Sequence, residues 1–373
     1  MTGATAILRR RVGATGPAAG PPSGRTSPLG GQRPAQRRSR ERHPKDGERR
    51  GARPAQQGAA LLLAMLVVTL VATLASAAMW QQWRATTIEA AERQRAQAGW
   101  ILTGALDWSR LILREDARAN RNSGNADHLG EPWATPLEEA RLSSFLAADK
   151  NNNTDGMLQA FLSGEITDMQ SRINFMNVVR QSGQGAQTKA EVSEPDRDAL
   201  VRLYQTLGLR ESELSAAINE LLRTSKLAAT DPLPSASALI PIKFIQLGWL
   251  GIGPASLAAL EPHLTVLPTR TTLNLNTASL QALTASIPGL DGARAERLLN
   301  ERGVNPFKTL ADAAQLLGEG SAPLSDLHHG TRSQFFEVRG RLRLDNTVVE
   351  ERSLVERQDL NVSVRWRERL AAR

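Results

Sequence analysis

This 373-residue sequence predicts an α+β fold: a long N-terminal helix, an antiparallel sheet drawn from two distant stretches of chain, and an α-helical domain inserted between them. Three observations carry that prediction. Residues 59–80 are apolar and uncharged. Strand-like alternation appears before residue 189 and again after residue 332. Between those stretches, apolar side chains recur at three- and four-residue spacing, the period of a helix packed on one face.

The apolar run organises the chain. It spans 22 residues from Ala59 to Trp80, with no charge between Arg53 and Arg84. As a helix it would be roughly 33 Å long at ~1.5 Å per residue, matching a bilayer core of about 30 Å. Trp80 and Trp83 fall where an aromatic belt would lie, with Arg84 just beyond. The run is too long for the apolar segment of a secretory signal, and Ala75-Ser76-Ala77 is a poor cleavage site. A better processing site precedes the run, where a basic leader ends in Gly58 and the helix starts at Ala59. This arrangement resembles the type IV prepilin class, in which a peptidase cuts after that glycine and leaves the helix attached. An uncleaved single-pass anchor is the alternative. A 58-residue leader is long for the class, which a true translation start further downstream would explain.

Charge is concentrated in that leader. Residues 1–58 hold 13 Lys and Arg against three acidic residues, a net +10, so the remainder carries −2 of the chain's total +8. Basic residues beside a span mark its cytoplasmic side, which puts everything after Arg84 across the membrane. Without the leader, the basic footprint of a nucleic-acid binder is missing. The chain has no cysteine, so neither disulfides nor thiolate chemistry are available.

The segments read in order as follows. Residues 1–58 form a Gly/Pro/Arg-rich leader expected to be disordered. Residues 59–83 are the membrane helix, and 84–116 continue it as a stem, with Ala98, Ile101, Leu102, Ala105, Leu106, Trp108, Leu111 and Ile112 on its apolar side. Residues 117–188 are the first part of a head, starting with a loop over Ala117–Gly130. Asp149–Gly156 has oxygen side chains at 149, 151, 153 and 155, as a calcium loop does. Thr154 stands at the glycine position, however, and Ala160 where the bidentate glutamate belongs, so a plain turn is expected. Short strands are predicted over Leu158–Leu162 and Glu165–Met169, joined at Ser163-Gly164, followed by alternation through Ser171–Val178. A Gly/Gln/Ser linker occupies Gln181–Lys189.

Residues 189–332 are the inserted helical domain. Ser193, Pro195 and Asp196 open a helix carrying Leu200, Leu203, Tyr204 and Leu207, which Gly208 ends. A second helix carries Leu214, Ala217, Ile218, Leu221 and Leu222. Pro/Ser/Ala-rich loop fills Ala228–Pro241. Further helices are predicted at Ala255–Leu260, Ala278–Ser286 (capped by Thr277) and Ala293–Asn300. Residues 333–373 return to strands: Phe335–Leu344, a turn at Asp345-Asn346, Val348–Val355 and Leu360–Trp366.

No nucleophile elbow, Walker loop, zinc spacing or dinucleotide turn occurs, and Gly251-Ile252-Gly253-Pro254 is too short for a phosphate loop. Of the five histidines, only His328 and His329 adjoin, in a loop. No catalytic residue, enzyme activity or metal site is predicted. Ile287-Pro288-Gly289-Leu290 with the following small-residue helix has the form of a helix-hairpin-helix, whose amides can hold DNA phosphate. With few lysines around it, a structural role is the stronger reading.

Several segments together resemble protein K of the type II (general) secretion system, the large minor pseudopilin. They are Gly58–Leu62; Arg95–Trp100; Asp127-His128-Leu129-Gly130-Glu131-Pro132-Trp133; Gly164–Asp168; Arg172-Ile173-Asn174-Phe175-Met176-Asn177; Leu267-Pro268; and Leu273-Asn274-Leu275-Asn276-Thr277-Ala278-Ser279. The resemblance implies a pseudopilin sheet interrupted by an α-domain, and a place at the tip of a periplasmic pseudopilus with minor pseudopilins I and J. Other pseudopilins, a prepilin peptidase and the inner membrane are further expected partners, and nucleic acid is not. It also implies cleavage between Gly58 and Ala59, and N-methylation of Ala59. Leu63 stands at the fifth mature position, where pilin-class helices carry glutamate, and is read as a tip determinant. Family members bind calcium, but where they carry an acidic stretch this chain reads Asn219-Glu220-Leu221-Leu222-Arg223, so no cofactor is expected. A minor pilin of a type IV pilus and a membrane-tethered DNA-uptake protein are the alternative functions.

Overall fold

A single helix, α1 (Gln57–Ser123), carries the chain from the apolar run into the head. The structure is a computed structural model that describes residues 57–124, 126–142, 160–182, 189–228, 239–318, 323–344 and 347–371. The leader, the Asp149–Gly156 turn, most of the two linkers and the Asp345-Asn346 turn lie outside those residues. No part of the apolar window of α1 is buried. Arg84 lies over the Trp80 ring at 5.2 Å, one turn along the same face.

Beyond the apolar run, α1 packs on a five-stranded antiparallel sheet in the order β1-β2-β9-β10-β11. Its strands are β1 (Leu137–Arg141), β2 (Ala160–Asp168), β9 (Phe335–Leu344), β10 (Thr347–Gln358) and β11 (Asn361–Leu370). Ala98 and Leu102 meet Ala160, Leu162, Leu342, Leu344 and Val349. Leu106 and Leu113 meet Trp133, Phe336, Val338, Val355 and Val362. These stem contacts recur at four and seven residues, one face of a helix. One of the predicted stem residues behaves differently: Trp108 is 64 % exposed.

Glycine sets the helix-to-sheet distance. Gly164 on β2 pairs with Gly340 on β9. A Cβ at Gly164 would lie 2.8 Å from the Arg339 carbonyl, and one at Gly340 would lie 3.2 Å from Leu102 of α1. The expected Ser163-Gly164 turn is therefore corrected. The glycine permits close approach inside one continuous strand rather than reversing the chain.

Between β2 and β9 in the chain lies a mainly helical block. Its helices are α2 (Glu194–Thr206), α3 (Glu211–Ala228), α4 (Pro254–Leu260), α5 (Leu280–Ser286), α6 (Gly292–Val304) and α7 (Leu310–Leu317). Short pairs tie them together: β3 (Ile173–Asn174) with β6 (Leu264–Thr265), β4 (Val179–Ser182) with β5 (Lys189–Val192), and β7 (Leu273–Asn274) with β8 (His329–Gly330). One large core runs through the block, including Leu200, Leu203, Leu214, Leu221, Leu247, Leu283 and Leu298. Gly208 leaves α2 with φ +65°, as expected of a helix-ending glycine.

Four further local expectations change. Where a loop was predicted from Ala117, α1 runs on to Ser123, because its buried Asp116 and Asn120 are held by partners from the head. The alternation through Ser171–Val178 is a two-residue strand followed by a 3-10 turn, whose start the Asn174 side chain caps. Ser279, not Thr277, caps α5. Helix α7 was missed; its capping box uses Thr309 and Asp312.

Candidate functional site

Gly58, Ala59 and Leu63 lie within the first two turns of α1, all exposed, with Leu63 at 64 %. Nothing lies within 4 Å of where a Cβ at Gly58 would sit. The fold therefore gives no steric reason for glycine there, although glycine weakens a helix by about 1 kcal/mol relative to alanine.

The head holds a second candidate site, a buried polar seam where the stem, the sheet and the helical block meet. Its centre is Asn274, at the end of β7. The Asn274 amide reaches the Asp127 carbonyl (3.1 Å), Asp168 Oδ2 (3.1 Å) and Ser333 Oγ (2.9 Å). Asp168, the last residue of β2, also accepts from Thr277 Oγ1 (2.5 Å), Ser333 Oγ (2.7 Å) and the Gln170 amide (2.7 Å). The Ser333 backbone N–H donates to Asp127 Oδ2 at 2.6 Å, just before β9 begins. A neighbouring pair works similarly: Asn174 accepts from the Leu267 amide at 3.1 Å, and Asn177 donates to the Thr271 carbonyl at 2.7 Å.

On the stem side, Arg357 of β10 takes the central place. Its guanidinium donates to Asp116 of α1 at 2.8 Å, to Asp127, and to the Ser333 carbonyl at 3.0 Å. Glu131 closes the group, accepting from Asn120 of α1 (2.7 Å), the Trp133 indole (2.7 Å) and the His128 amide (3.0 Å). Three carboxylates thus surround one guanidinium in a buried place. Burial, then Glu131, pushes the Asp116 carboxyl up to about 7; Arg357 opposes this and Asp127 adds to it. Burial likewise raises Asp168 to about 6, against its three hydrogen bonds. Burial opposes the Arg357 charge, but Asp127 and Asp116 outweigh it and raise its pKa.

Carboxylate oxygens of Asp116, Asp127 and Glu131 lie within 4.8 Å of one another, close enough to ligate a cation. Arg357 bonds two of the three and already supplies positive charge there, so the donor set does not fit a metal. His329 is buried, bonded to Ser286 Oγ at 2.9 Å, and burial lowers its pKa to about 4. It lies on β8 rather than in a loop. Neighbouring His328 stands 3.8 Å from Asp196.

Four of the motif segments meet in this seam: Asp127, Glu131 and Trp133 from one, Asp168 from the next, then Asn174 and Asn177, and finally Asn274, Asn276 and Thr277. Residues 273–328 match the family model for type II secretion system protein K. Protein K of Pseudomonas aeruginosa strain PAO1 is 24 % identical over 259 residues, covering 65 % of this chain and 71 % of that one. The chain is similar to type II secretion system protein K. The family is a structural pseudopilin component of the secretion system. A crystal structure of the GspK–GspI–GspJ complex from enterotoxigenic Escherichia coli shares the fold: TM-score 0.50 and 14 % identity, covering 76 % of this chain and 99 % of that one.

Sequence reasoning named most of the seam as motif residues without showing that they form one network. It missed Asp116, Ser333 and Arg357 altogether. An ionised residue in a buried strand position leaves no periodic signal. A buried arginine among alternating charges on β10 looks like any solvated one.

Proposed function

We propose that this protein is a non-enzymatic minor pseudopilin at the tip of the type II secretion pseudopilus, helping to start pseudopilus assembly and the export of folded proteins across the outer membrane. The supporting observation is the pairing of a fully exposed apolar helix with a stem that is locked onto a sheet interrupted by a helical block. In this reading the helix spans the inner membrane once, with the leader cytoplasmic and the head periplasmic. A prepilin peptidase cuts between Gly58 and Ala59, and minor pseudopilins I and J bind beside the head. The insert makes the head too wide to stack repeatedly, which suits an end position.

The DNA-binding alternative loses support at the turn between α5 and α6. Gly289 adopts φ +76° there, but the Asp291 carboxylate caps α6, accepting from the Arg294 amide at 2.8 Å. An acidic cap occupies the amides that phosphate would need. Co-purification of residues 84–373 with the heads of minor pseudopilins I and J tests the proposal. A stable complex is expected, and salt-sensitive binding to duplex DNA without it would replace this reading.

A further inference from the structure

A polar cleft of about 600 Å³ opens where the end of α1, the approach to β7, the approach to β9 and the β10–β11 turn come together. That volume lies within the range of ligand sites, ~300–1,000 Å³. Four arginines line it, Arg121, Arg270, Arg332 and Arg357, against one acidic residue, Asp359.

Two of these guanidiniums are already engaged. Arg357 holds Asp116 and Asp127, as described above. Arg270 donates to Asp196 at 2.7 Å and to the Asn177 carbonyl at 3.1 Å. The other two are not. The Arg332 side chain is exposed and makes no hydrogen bond or ion pair among the described residues. Among the described residues Arg121 approaches only Asp359, at 4.0 Å, and Asp359 is itself 83 % exposed. An exposed pair at that separation adds little, roughly 0–1 kcal/mol. The cleft therefore offers two available guanidinium forks over a floor of polar side chains.

We propose that this cleft binds a short acidic peptide segment of a partner protein, with Arg121 and Arg332 each receiving a carboxylate. Planar guanidinium forks match carboxylates in paired hydrogen bonds. Nucleic acid fits less well. A phosphate backbone needs an extended basic track, whereas the chain after the leader carries −2 overall. This inference does not depend on which secretion component supplies the segment.

The absence of cysteine makes the test local. Gln358 is exposed and lines the cleft. A Gln358→Cys variant of the full chain in detergent therefore takes one environment-sensitive dye there, and the dye ignores anything that binds the basic leader. Titration with hexaglutamate should give a saturable signal, and hexaglutamine none. Arg121→Ala with Arg332→Ala should weaken binding about tenfold or more, while Arg341→Ala, on an exposed position of β9, should leave it unchanged. Arg332→Gln alone, at a side chain with no partner to lose, gives a second reading with the fold checked by circular dichroism. A silent dye, an affinity unmoved by the arginine variants, or equal response to a six-phosphate oligothymidylate would overturn the proposal.

Discussion

Asn274 holds three distant parts of the head together, because one amide joins the Asp127 segment, the end of β2 and the residue just before β9. Asn274→Ala should destabilise the head by roughly 3 kcal/mol, since it leaves buried acceptors without their donor. The carboxyls around it make stability depend on pH. Asp116 and Asp168 have folded pKa values of about 7 and about 6, above their ordinary value of 3.8. The folded state therefore holds protons that the unfolded chain releases. The resulting stabilisation is complete below about pH 4 and is lost as pH rises through 6 and 7. For these two groups, residues 84–373 should be less stable at pH 8 than at pH 5.5 by on the order of 2 kcal/mol, and should unfold at a lower temperature. Asp116→Asn and Asp168→Asn together should flatten that dependence; an unchanged slope would mean that the two carboxyls are ionised throughout. Little of this was legible in the sequence. The asparagines and aspartates stood out as quoted segments, but which of them touch depends on contacts up to 241 residues apart, such as Arg357 with Asp116.

At the scale of elements, α1 was the most legible part, since composition alone places a helix that long. Its last two turns were not, because Asn120 and Asn122 read as loop, whereas Asp116 and Asn120 are bonded to partners from the head. The sheet was legible as strands before and after a helical block, and the β9–β10–β11 meander followed from alternation. The single strand β2 was misread because a glycine needed for close approach looks, in sequence, like one needed for a turn. On α1 itself, Gly58→Glu should block processing, while Leu63→Glu should leave processing intact and be tolerated or mildly harmful to secretion. A pilin-class glutamate at that position pairs with the amino terminus of the subunit ahead, and a first subunit has none ahead of it. N-terminal sequencing of membrane-extracted protein reads the first result, and a secretion assay the second. A mature start at Ala78 or beyond would refute the processing site.

For the molecule as a whole, the helical block leaves the sheet and returns to it at nearly the same point. Asp168 at the end of β2 and Ser333 just before β9 are 165 residues apart in sequence, yet their side chains are bonded at 2.7 Å. If the intervening chain were unfolded, pairing β2 with β9 would require closing a loop of that length, at an entropic cost of roughly 4–5 kcal/mol. A block that folds first brings the two ends together and removes most of that cost. It contains its own core, with no strand borrowed from the sheet. Refolding should therefore be ordered, with amides in α2, α3 and α6 protected before those in β9 and β10 in pulsed hydrogen exchange. Asn274→Ala should slow the later phase more than the earlier one. Protection appearing first in β9 and β10 would show that the sheet closes around an unfolded block instead. Under the expected order, β9, β10 and β11, which are synthesised after the block, are also fixed after it, and the head stays open along β2 until its interior passenger is complete.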